Sequence, residues 1–109
     1  MEALSISRYR RKPQSASDDG QITAARYQHG EPLDDLREVA AMAYEGEIAE
    51  CALPSGSVLV VAWTDIGDSG ARKTYDTVIP GDWLVYSHGN GSLFDDDSAG
   101  IEQFYEPVP

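Results

Sequence analysis

The residues with the chemistry for catalysis are few, and their spacing matches no established catalytic pattern. The chain holds two histidines, His29 and His88, and one cysteine, Cys51. It contains no Gly-x-Ser-x-Gly nucleophile elbow, no glycine-rich phosphate loop ending in Lys-Ser/Thr, and no pair of Cys or His at zinc spacing. Both histidines adjoin glycines in predicted turns, and a general base needs an oriented partner that the spacing does not show. We therefore predict that the protein is not an enzyme and uses no cofactor.

Two runs of carboxylates have part of the spacing of a calcium-binding loop. Counting from Asp95, a glycine stands at the sixth place and Glu106 at the twelfth, but Ala99 takes the fifth place, where a side-chain oxygen is needed. A similar count from Asp65 fails at Gly67. The flanking helices of such a site are missing as well. We predict no metal site and interpret both runs as solvated acidic turns.

Charge is the most distinctive property of the sequence. The chain has 19 Asp and Glu against 8 Lys and Arg, a formal net charge of −11. Residues 1–12 hold four of the basic residues and one acid, so residues 13–109 carry four basic and eighteen acidic residues, or −14. Such a body repels nucleic acid and anionic membranes, because binding to either depends on Lys and Arg neutralising phosphate. The charge argues against both and favours a basic groove on another protein.

An acidic surface of this kind has two interpretations. Carboxylates at roughly phosphate spacing can imitate DNA and occupy the basic groove of a partner. Alternatively, the acidity only keeps a small protein in solution. For the first interpretation, the partner-binding residues are predicted to be carboxylates of the acidic turns: Asp95, Asp96, Asp97, Asp65 and Asp68.

The basic residues offer a second candidate site. The N-terminal arm can contact nucleic acid with Tyr9 stacked on a base, but its four charges oppose the −14 elsewhere. Pairing with acids of its own domain or of a neighbouring subunit is the preferred interpretation. The alternative function is a small oligomer that binds an anionic nucleotide-like ligand beside Trp63 or Trp83. The residues assigned to anion binding or to contacts between subunits are Arg8, Arg10, Arg11, Lys12, Arg72 and Lys73.

The elements that position these residues begin with the arm. Residues 4–12 alternate weakly between apolar and polar side chains, which permits an edge strand that breaks at Pro13. A polar loop follows, and residues 21–28 have the pattern of a strand. We divide the chain into residues 1–20, a basic N-terminal arm or edge strand with a polar loop, and residues 21–109, a single α+β domain.

One convincing helix is predicted after residue 31. Pro32 suits the first helical position, acidic residues occupy the first turn, and Gly46 can close the end. The apolar residues recur at spacings of three and four, which forms one stripe: Leu33, Leu36, Val39, Ala40, Ala43 and Tyr44. The helix is therefore expected to cover one face of a sheet.

Residues 48–94 have the pattern of short antiparallel strands. Strands are expected at about 48–53, 58–64, 73–79, 83–87 and 92–94. Residues 58–63 are apolar at nearly every position, which predicts a central strand buried on both faces. Residues 99–105 are expected to form a short helix capped by Ser98. The predicted fold class is α+β, a mainly antiparallel sheet of five to seven short strands covered by one amphipathic helix, with a short C-terminal helix.

The strand that follows the Pro-Gly turn is expected to organise the fold. Trp83 and Val85 occupy one face of this strand, and Leu84 and Tyr86 occupy the other. We assign Trp63 and Trp83 to the core and expect the core to condense around Trp83.

The cellular compartment is inferred from cysteine use and hydropathy. The single Cys51 cannot form an internal disulfide, and its apolar setting is typical of a buried strand position. No apolar run reaches the length of a signal-peptide core or a membrane span. We expect a cytoplasmic protein without membrane contact.

A homo-oligomer, most simply a dimer, is predicted because the chain has too few elements to cover both faces of its sheet. A strand as apolar as residues 58–63 needs shielding on both faces, and the sequence offers one substantial helix. Exchange of the basic N-terminal strand onto a neighbour would pair opposite charges and close an exposed edge. The rival interpretation is that the N-terminal strands fold back over the sheet of their own subunit.

Three stretches together resemble a family of small phage and prophage proteins. They are Tyr9-Arg10-Arg11-Lys12-Pro13, Pro80-Gly81-Asp82-Trp83-Leu84-Val85 before a Gly-containing hairpin, and Phe104-Tyr105-Glu106-Pro107-Val108. Members of that family typically open with a Tyr-Arg-Lys-Lys-Pro-like arm, start a strand with Pro-Gly-Asp-Trp and end in Phe/Tyr-Glu-Pro-Val. The chain departs from the family after the hairpin, where Leu93-Phe94-Asp95-Asp96-Asp97-Ser98 replaces an aromatic residue, a Cys and a Lys-Pro.

The resemblance implies a bacteriophage or prophage origin, a small α+β domain and no settled activity. Together with the charge, it predicts a non-enzymatic accessory protein in the cytoplasm of the host cell. Such a protein would bind a host protein through its acidic surface and interfere with a nucleic-acid enzyme or a defence system.

Overall fold

Two antiparallel sheets and two short helices make up the protein. The computed structural model describes the backbone of residues 6–11 and 22–107 and the side chains of residues 22–101. The strands are β1 (Ile6–Arg11), β2 (Ile22–Arg26), β3 (Glu47–Leu53), β4 (Gly56–Gly67), β5 (Gly70–Val78), β6 (Trp83–Ser87), β7 (Ser92–Asp96) and β8 (Tyr105–Pro107). The helices are α1 (Asp34–Ala40) and α2 (Ser98–Phe104).

The predicted fold class, one sheet covered by a helix, is wrong. The strands form a first sheet of five strands in the order β7-β6-β2-β1-β8 and a second sheet of three in the order β3-β4-β5. The second sheet consists of consecutive hairpins, whereas β2 of the first sheet pairs with β6 far along the chain. The protein is therefore mostly β, and the apolar faces of the two sheets, rather than a sheet and a helix, form the main core.

The weak alternation of residues 4–12 suggests an edge strand, but the N-terminal strand lies inside its sheet. β1 lies between β2 and β8, and Tyr9 is opposite both Ile22 and Pro107. The covering strand β8 is short and contains a proline, which is tolerated because β8 itself forms the sheet edge. Because a proline is unusual within a strand, the sequence of the Glu-Pro-Val tail does not predict one.

Helix α1 is shorter than its apolar stripe. After Ala40, the amides of Met42 and Ala43 donate to carbonyls three residues back, at 3.1 Å each, so the α-helix gives way to tight turns. The sequence predicts that Gly46 closes the helix, but the helix ends six residues earlier, at Ala40. Gly46 follows the tight turns, at a position where a Cβ would lie 1.8 Å from the carbonyl oxygen of Ala40. With seven residues, α1 is too short to cover a sheet.

The main core combines side chains of both sheets with the buried side of α1. Its fully or nearly fully buried members are Ala25, Tyr27, Leu36, Val39, Ala40, Ala43, Leu59, Val61, Trp63, Val78, Leu84 and Leu93. The predicted helix stripe contributes most of its residues to this core, but Tyr44 is 61% exposed. A second, smaller cluster on the other face of the first sheet joins Ile22, Ala24, Val85 and Ile101.

The sequence predicts a core centred on Trp83, and this prediction is wrong. Trp63 is buried in the main core, but Trp83 is half-buried and packs against the smaller cluster, where its Nε1 donates to Ser98 Oγ at 3.0 Å. The predicted alternation of β6 is confirmed, since Leu84 joins the main core and Val85 the smaller cluster. Trp83 thus ties β6 to the start of α2 and lies at the margin of the packing.

Strand β4 is buried on one face, not on both as predicted. Leu59, Val61 and Trp63 point into the main core, whereas Val58 and Val60 on the opposite face are half-buried. Cys51, predicted to be buried, is exposed on the same side of the sheet as its cross-strand neighbour Val58. Neither helix packs over this outer side of the second sheet.

Candidate functional site

Five aspartates meet at the base of the β6–β7 hairpin, and we refer to them as the acidic cluster: Asp76, Asp82, Asp95, Asp96 and Asp97. Asp82 precedes β6, and the ladder places Trp83 opposite Asp96, so the loop before β6 and the end of β7 lie side by side. Asp76 comes from β5 of the second sheet. The cluster therefore lies where the two sheets meet.

The carboxylates of the acidic cluster repel one another. Burial and a hydrogen bond with the Asp95 carboxyl raise the pKa of Asp76 to about 6. Partial burial and the charges of Asp97, Asp95 and Asp96 raise the pKa of Asp82 as well. In both cases burial is the larger cause, and the neighbouring carboxylates add to it.

Backbone amides hold three of these carboxylates in place. Asp76 Oδ1 accepts from the amide of Thr77 and Asp96 Oδ1 from the amide of Asp97, each at 2.8 Å. Asp97 Oδ1 accepts from the amide of Gly100 at 2.7 Å and so caps α2, the role predicted for Ser98. The cluster is a fixed arrangement because its side chains also serve turns and a helix start.

The cations near the acidic cluster compensate it only in part. Arg26 lowers the pKa of Asp82, but its Nε donates to the carbonyl of Gly81 at 3.1 Å. The ion pairs of Arg37 with Asp34, at 3.7 Å, and of Lys73 with Glu47, at 3.9 Å, lie elsewhere in the described part of the chain. A negative potential is left at the hairpin base.

The structure brings together only some of the predicted carboxylates. Asp95, Asp96 and Asp97 belong to the acidic cluster, whereas Asp65 and Asp68 lie on the β4–β5 hairpin, with Asp65 opposite Arg72. Sequence reasoning missed two members of the cluster, one on β5 and one in the turn before β6. The register of the β4–β5 hairpin, which places Asp76 opposite the buried Val61, is the signal that identifies one of them.

An open pocket of about 350 Å³ lies at the other end of the β6–β7 hairpin, and we call it the aromatic pocket. It is lined by Met42, Tyr44, Thr64, Asp65, Ile66, Tyr86, Asn90 and Gly91. Its apolar lining is unusually accessible, since Tyr44 is 61% and Ile66 62% exposed. Asp65 is the one charged side chain in this lining. A cationic group with an apolar stem matches the pocket better than an anion does.

The predicted anion-binding residues do not assemble a site in the described part of the chain. Trp63 is only 4% exposed and has no open ring face for a nucleotide base. Lys73 is opposite Thr64 on the other face of the sheet from Trp63, and it pairs with Glu47. Strand β1 contains Arg8, Arg10 and Arg11, but their side chains and the whole of Lys12 lie outside the described residues.

A chain of hydrogen bonds joins the two sheets beside the main core. Tyr27 Oη donates to Glu50 Oε2 at 2.6 Å and lies 2.5 Å from Ser57 Oγ, which lies 2.8 Å from His29 Nδ1. The Ser57 hydroxyl also lies within reach of Glu50, with its Oγ 3.4 Å from Glu50 Oε2. The carboxylate only accepts, whereas the phenol, the hydroxyl and the imidazole can each donate or accept along the chain. Burial and the Glu50 carboxylate raise the pKa of the Tyr27 phenol.

The order of groups in this chain differs from that of a nucleophilic Ser–His pair. In such a pair the histidine accepts the serine proton, and a carboxylate orients the histidine. Here the carboxylate of Glu50 contacts the tyrosine and the serine, and His29 bonds to Ser57 at the other end of the chain. We interpret the chain as a polar bridge between the sheets. The other histidine, His88, bonds through Nε2 to Thr23 Oγ1 at 2.7 Å and packs edge-on against Tyr86.

The described residues contain neither a metal-binding group nor a membrane-spanning helix. Among the described residues, no group of three or more His, Cys, Asp or Glu is arranged to hold a metal ion. No helix in that part of the chain has the length and apolar character needed to cross a membrane.

No family model matches the chain, and no curated protein or solved structure was found to be similar to it. The site is therefore interpreted from its own charges, distances and burial.

Proposed function

We propose that the protein is a non-enzymatic accessory protein that binds a basic surface of another protein through the acidic cluster. The observation that carries the proposal is the contact between the carboxyls of Asp76 and Asp95, which together with the burial of Asp76, the larger cause, raises the pKa of Asp76 to about 6. A protein that only needed solubility would gain more from carboxylates spread apart, since crowding them costs free energy. A cationic partner removes that cost.

The electrostatic gain has a direct signature in proton release. A Lys or Arg side chain placed among the cluster stabilises the ionised form of Asp76 and lowers its pKa. Binding at about pH 6 should then release protons, and affinity should rise as the pH increases from about 5 to about 7. Raised salt should weaken the complex, because screening acts on charges at the surface.

The aromatic pocket supports the same class of partner. Its tyrosines and Ile66 can pack on the methylene stem of a Lys or Arg, and Asp65 can pair with the charged end. Because the pocket and the acidic cluster lie at opposite ends of one hairpin, a basic segment running along β6–β7 would contact both.

The identity of the partner is proposed from the sequence resemblance alone. Similarity of three short stretches to phage and prophage proteins supports a host protein as the partner and the host cytoplasm as the place of action. A basic partner surface is typical of enzymes that hold nucleic acid. Interference with such an enzyme or with a defence system is the proposed outcome.

The test compares two double variants with equal changes in charge. Asp95→Asn/Asp97→Asn removes two charges from the acidic cluster and keeps the amide oxygen that can cap α2, whereas Glu31→Gln/Glu38→Gln removes two exposed charges elsewhere. Titration calorimetry with a lysine-rich peptide should show the larger loss of affinity, about tenfold or more, for the first variant. Equal losses would mean that the peptide senses net charge alone and would overturn the proposal. Capture from bacterial lysate with the same variants then identifies the partner.

A further inference from the structure

The outer side of the second sheet is largely apolar, and most of it is exposed. Its end beside Thr64 is the exception, because Ala62 and Thr64 are each 8% exposed and Thr64 Oγ1 donates to Glu45 Oε1 at 2.6 Å. Residues directly opposite one another in the ladders share a face, and those on the face away from the main core define the outer face: Glu47, Ala49, Cys51 and Leu53 of β3, Val58, Val60 and Ala62 of β4, and Lys73, Tyr75 and Thr77 of β5. Leu53 is 49% and Tyr75 65% exposed. Two-layer folds bury such a face against another element.

We propose that the outer face is the interface between two copies of this chain, packed face to face as in a β-sandwich. Charge selects this occupant. Glu47 and Lys73 are the charged strand residues of the face and lie 3.9 Å apart, so their charges cancel on a protein of net charge −11. Such a surface attracts a basic partner little, whereas two acidic copies repel each other least through surfaces where the charges cancel.

The segment between the first two strands offers little material to cover the outer face. Residues 12–21 connect two strands of the first sheet and contain a single apolar side chain besides Pro13, that of Ala16. The N-terminal strand β1 is committed to the first sheet between β2 and β8.

The size of the face sets the strength of the contact. A seven-residue strand is about 23 Å long and three strands span about 14 Å, so each copy contributes about 320 Å² and the two copies about 640 Å² in total. This area is below the roughly 1,000 Å² of a stable specific interface and belongs to the range of weak, transient contacts. The dimer should therefore be weak and should form in the submillimolar range of concentration.

The response of the dimer to salt concentration distinguishes this apolar interface from one formed by ion pairs. Exchange of the basic N-terminal strand would pair opposite charges, and its dimer would weaken as salt rises. An apolar contact between two acidic bodies should instead strengthen, because salt screens their mutual repulsion. Binding of a basic partner to the acidic cluster should weaken under the same conditions, so failure of one proposal can be told apart from failure of the other.

Sedimentation velocity over a concentration series tests the interface with two matched variants. Ala49→Glu places a charge at an exposed position of the outer face, and Ala41→Glu makes the same change at an exposed position beyond α1. The wild type and Ala41→Glu should shift from monomer to dimer mass, more readily at high salt, and Ala49→Glu should stay monomeric. A wild type that remains monomeric at hundreds of micromolar, about the weakest affinity compatible with this area, overturns the inference. A dimer that Ala49→Glu leaves intact does so as well.

The reactivity of the Cys51 thiol gives a second measurement of the interface, and it requires no new variant. Cys51 is exposed at the middle of the outer face in one copy and becomes covered in the dimer. Its rate of reaction with a thiol reagent should fall several-fold as the protein concentration increases through the dimer transition. A rate that does not change while the mass doubles would place the contact on another surface and contradict the inference.

Discussion

The two sheets differ in how they bury their faces. The first sheet has apolar clusters on both sides, because α1 and the second sheet meet one face and Ile101 of α2 packs on the other. The second sheet is buried on one side, and its other side exposes small and β-branched residues. The comparison shows that a strand with a continuous apolar pattern need not be buried on both faces within its own subunit. The apolar residues of one face can instead contact another molecule.

The strongest test of this difference uses two neighbouring valines of β4. Val61 is fully buried in the main core, and Val60 is half-buried on the outer face. At concentrations where the protein is monomeric, Val61→Ala should lower the free energy of unfolding by about 2 to 3 kcal/mol, and Val60→Ala by less than about 1 kcal/mol. Urea unfolding measures both. Similar losses would show that the outer face is buried within a single chain.

The polar bridge tests how firmly the two sheets are joined. Tyr27→Phe keeps the buried ring but removes the hydroxyl that serves Glu50 and Ser57. Because buried partners lose a hydrogen bond, the free energy of unfolding should fall by about 1 to 2 kcal/mol. The matched control Tyr44→Phe removes a hydroxyl from an exposed ring and should change little. Thermal unfolding of the two variants measures the difference, and equal melting temperatures would show that the bridge does not contribute.

The smallest expected effect concerns the acidic cluster, where the two sheets meet. The pKa of Asp76 is about 6 in the folded protein, against about 3.9 in an unfolded chain. Between these values the folded state binds more protons, so stability falls as the pH rises from about 4 to about 6. A shift of two units corresponds to about 3 kcal/mol at most, and the solvent exposure of Asp76 reduces this to about 1 kcal/mol.

Asp76→Asn removes this penalty. The variant should be more stable than the wild type by about 1 kcal/mol at neutral pH and equal to it near pH 4. Asp68→Asn, an exposed position in the turn of the β4–β5 hairpin, should show no such pH dependence. Melting temperatures across the pH range decide the matter, and a uniform gain at all pH values would mean that the ionisation of Asp76 is not its source.

Local features of the fold are predictable from the sequence because they depend on near neighbours. The alternation of β6, the turn closed by Gly46 and the short C-terminal helix follow from side-chain period and backbone sterics. Pairings between distant strands do not follow. The partners β2 and β6, or β1 and β8, are chosen by the total burial of the folded chain, and no local pattern reports that sum.

The same limit applies to the candidate site. The run of Asp95 to Asp97 is visible in the sequence, and the structure places it in the acidic cluster. Asp76 enters the acidic cluster because β5 belongs to the second sheet and meets β7 of the first, a contact between elements almost twenty residues apart. Without the sheet order, Asp65 and Asp68 were equally good candidates.

The strand order also determines the sequence of events during synthesis. The second sheet needs only the hairpins between residues 47 and 78, whereas the first sheet is complete only when β8 pairs with β1 and brings Pro107 to Tyr9. Local hairpins close quickly, and pairings across nearly the whole chain close late. The three-stranded sheet can therefore form while the first sheet still lacks its last strands. During that interval the growing chain exposes both apolar sides of the second sheet to solvent, which makes this segment the point where chaperone binding or misassembly competes with folding.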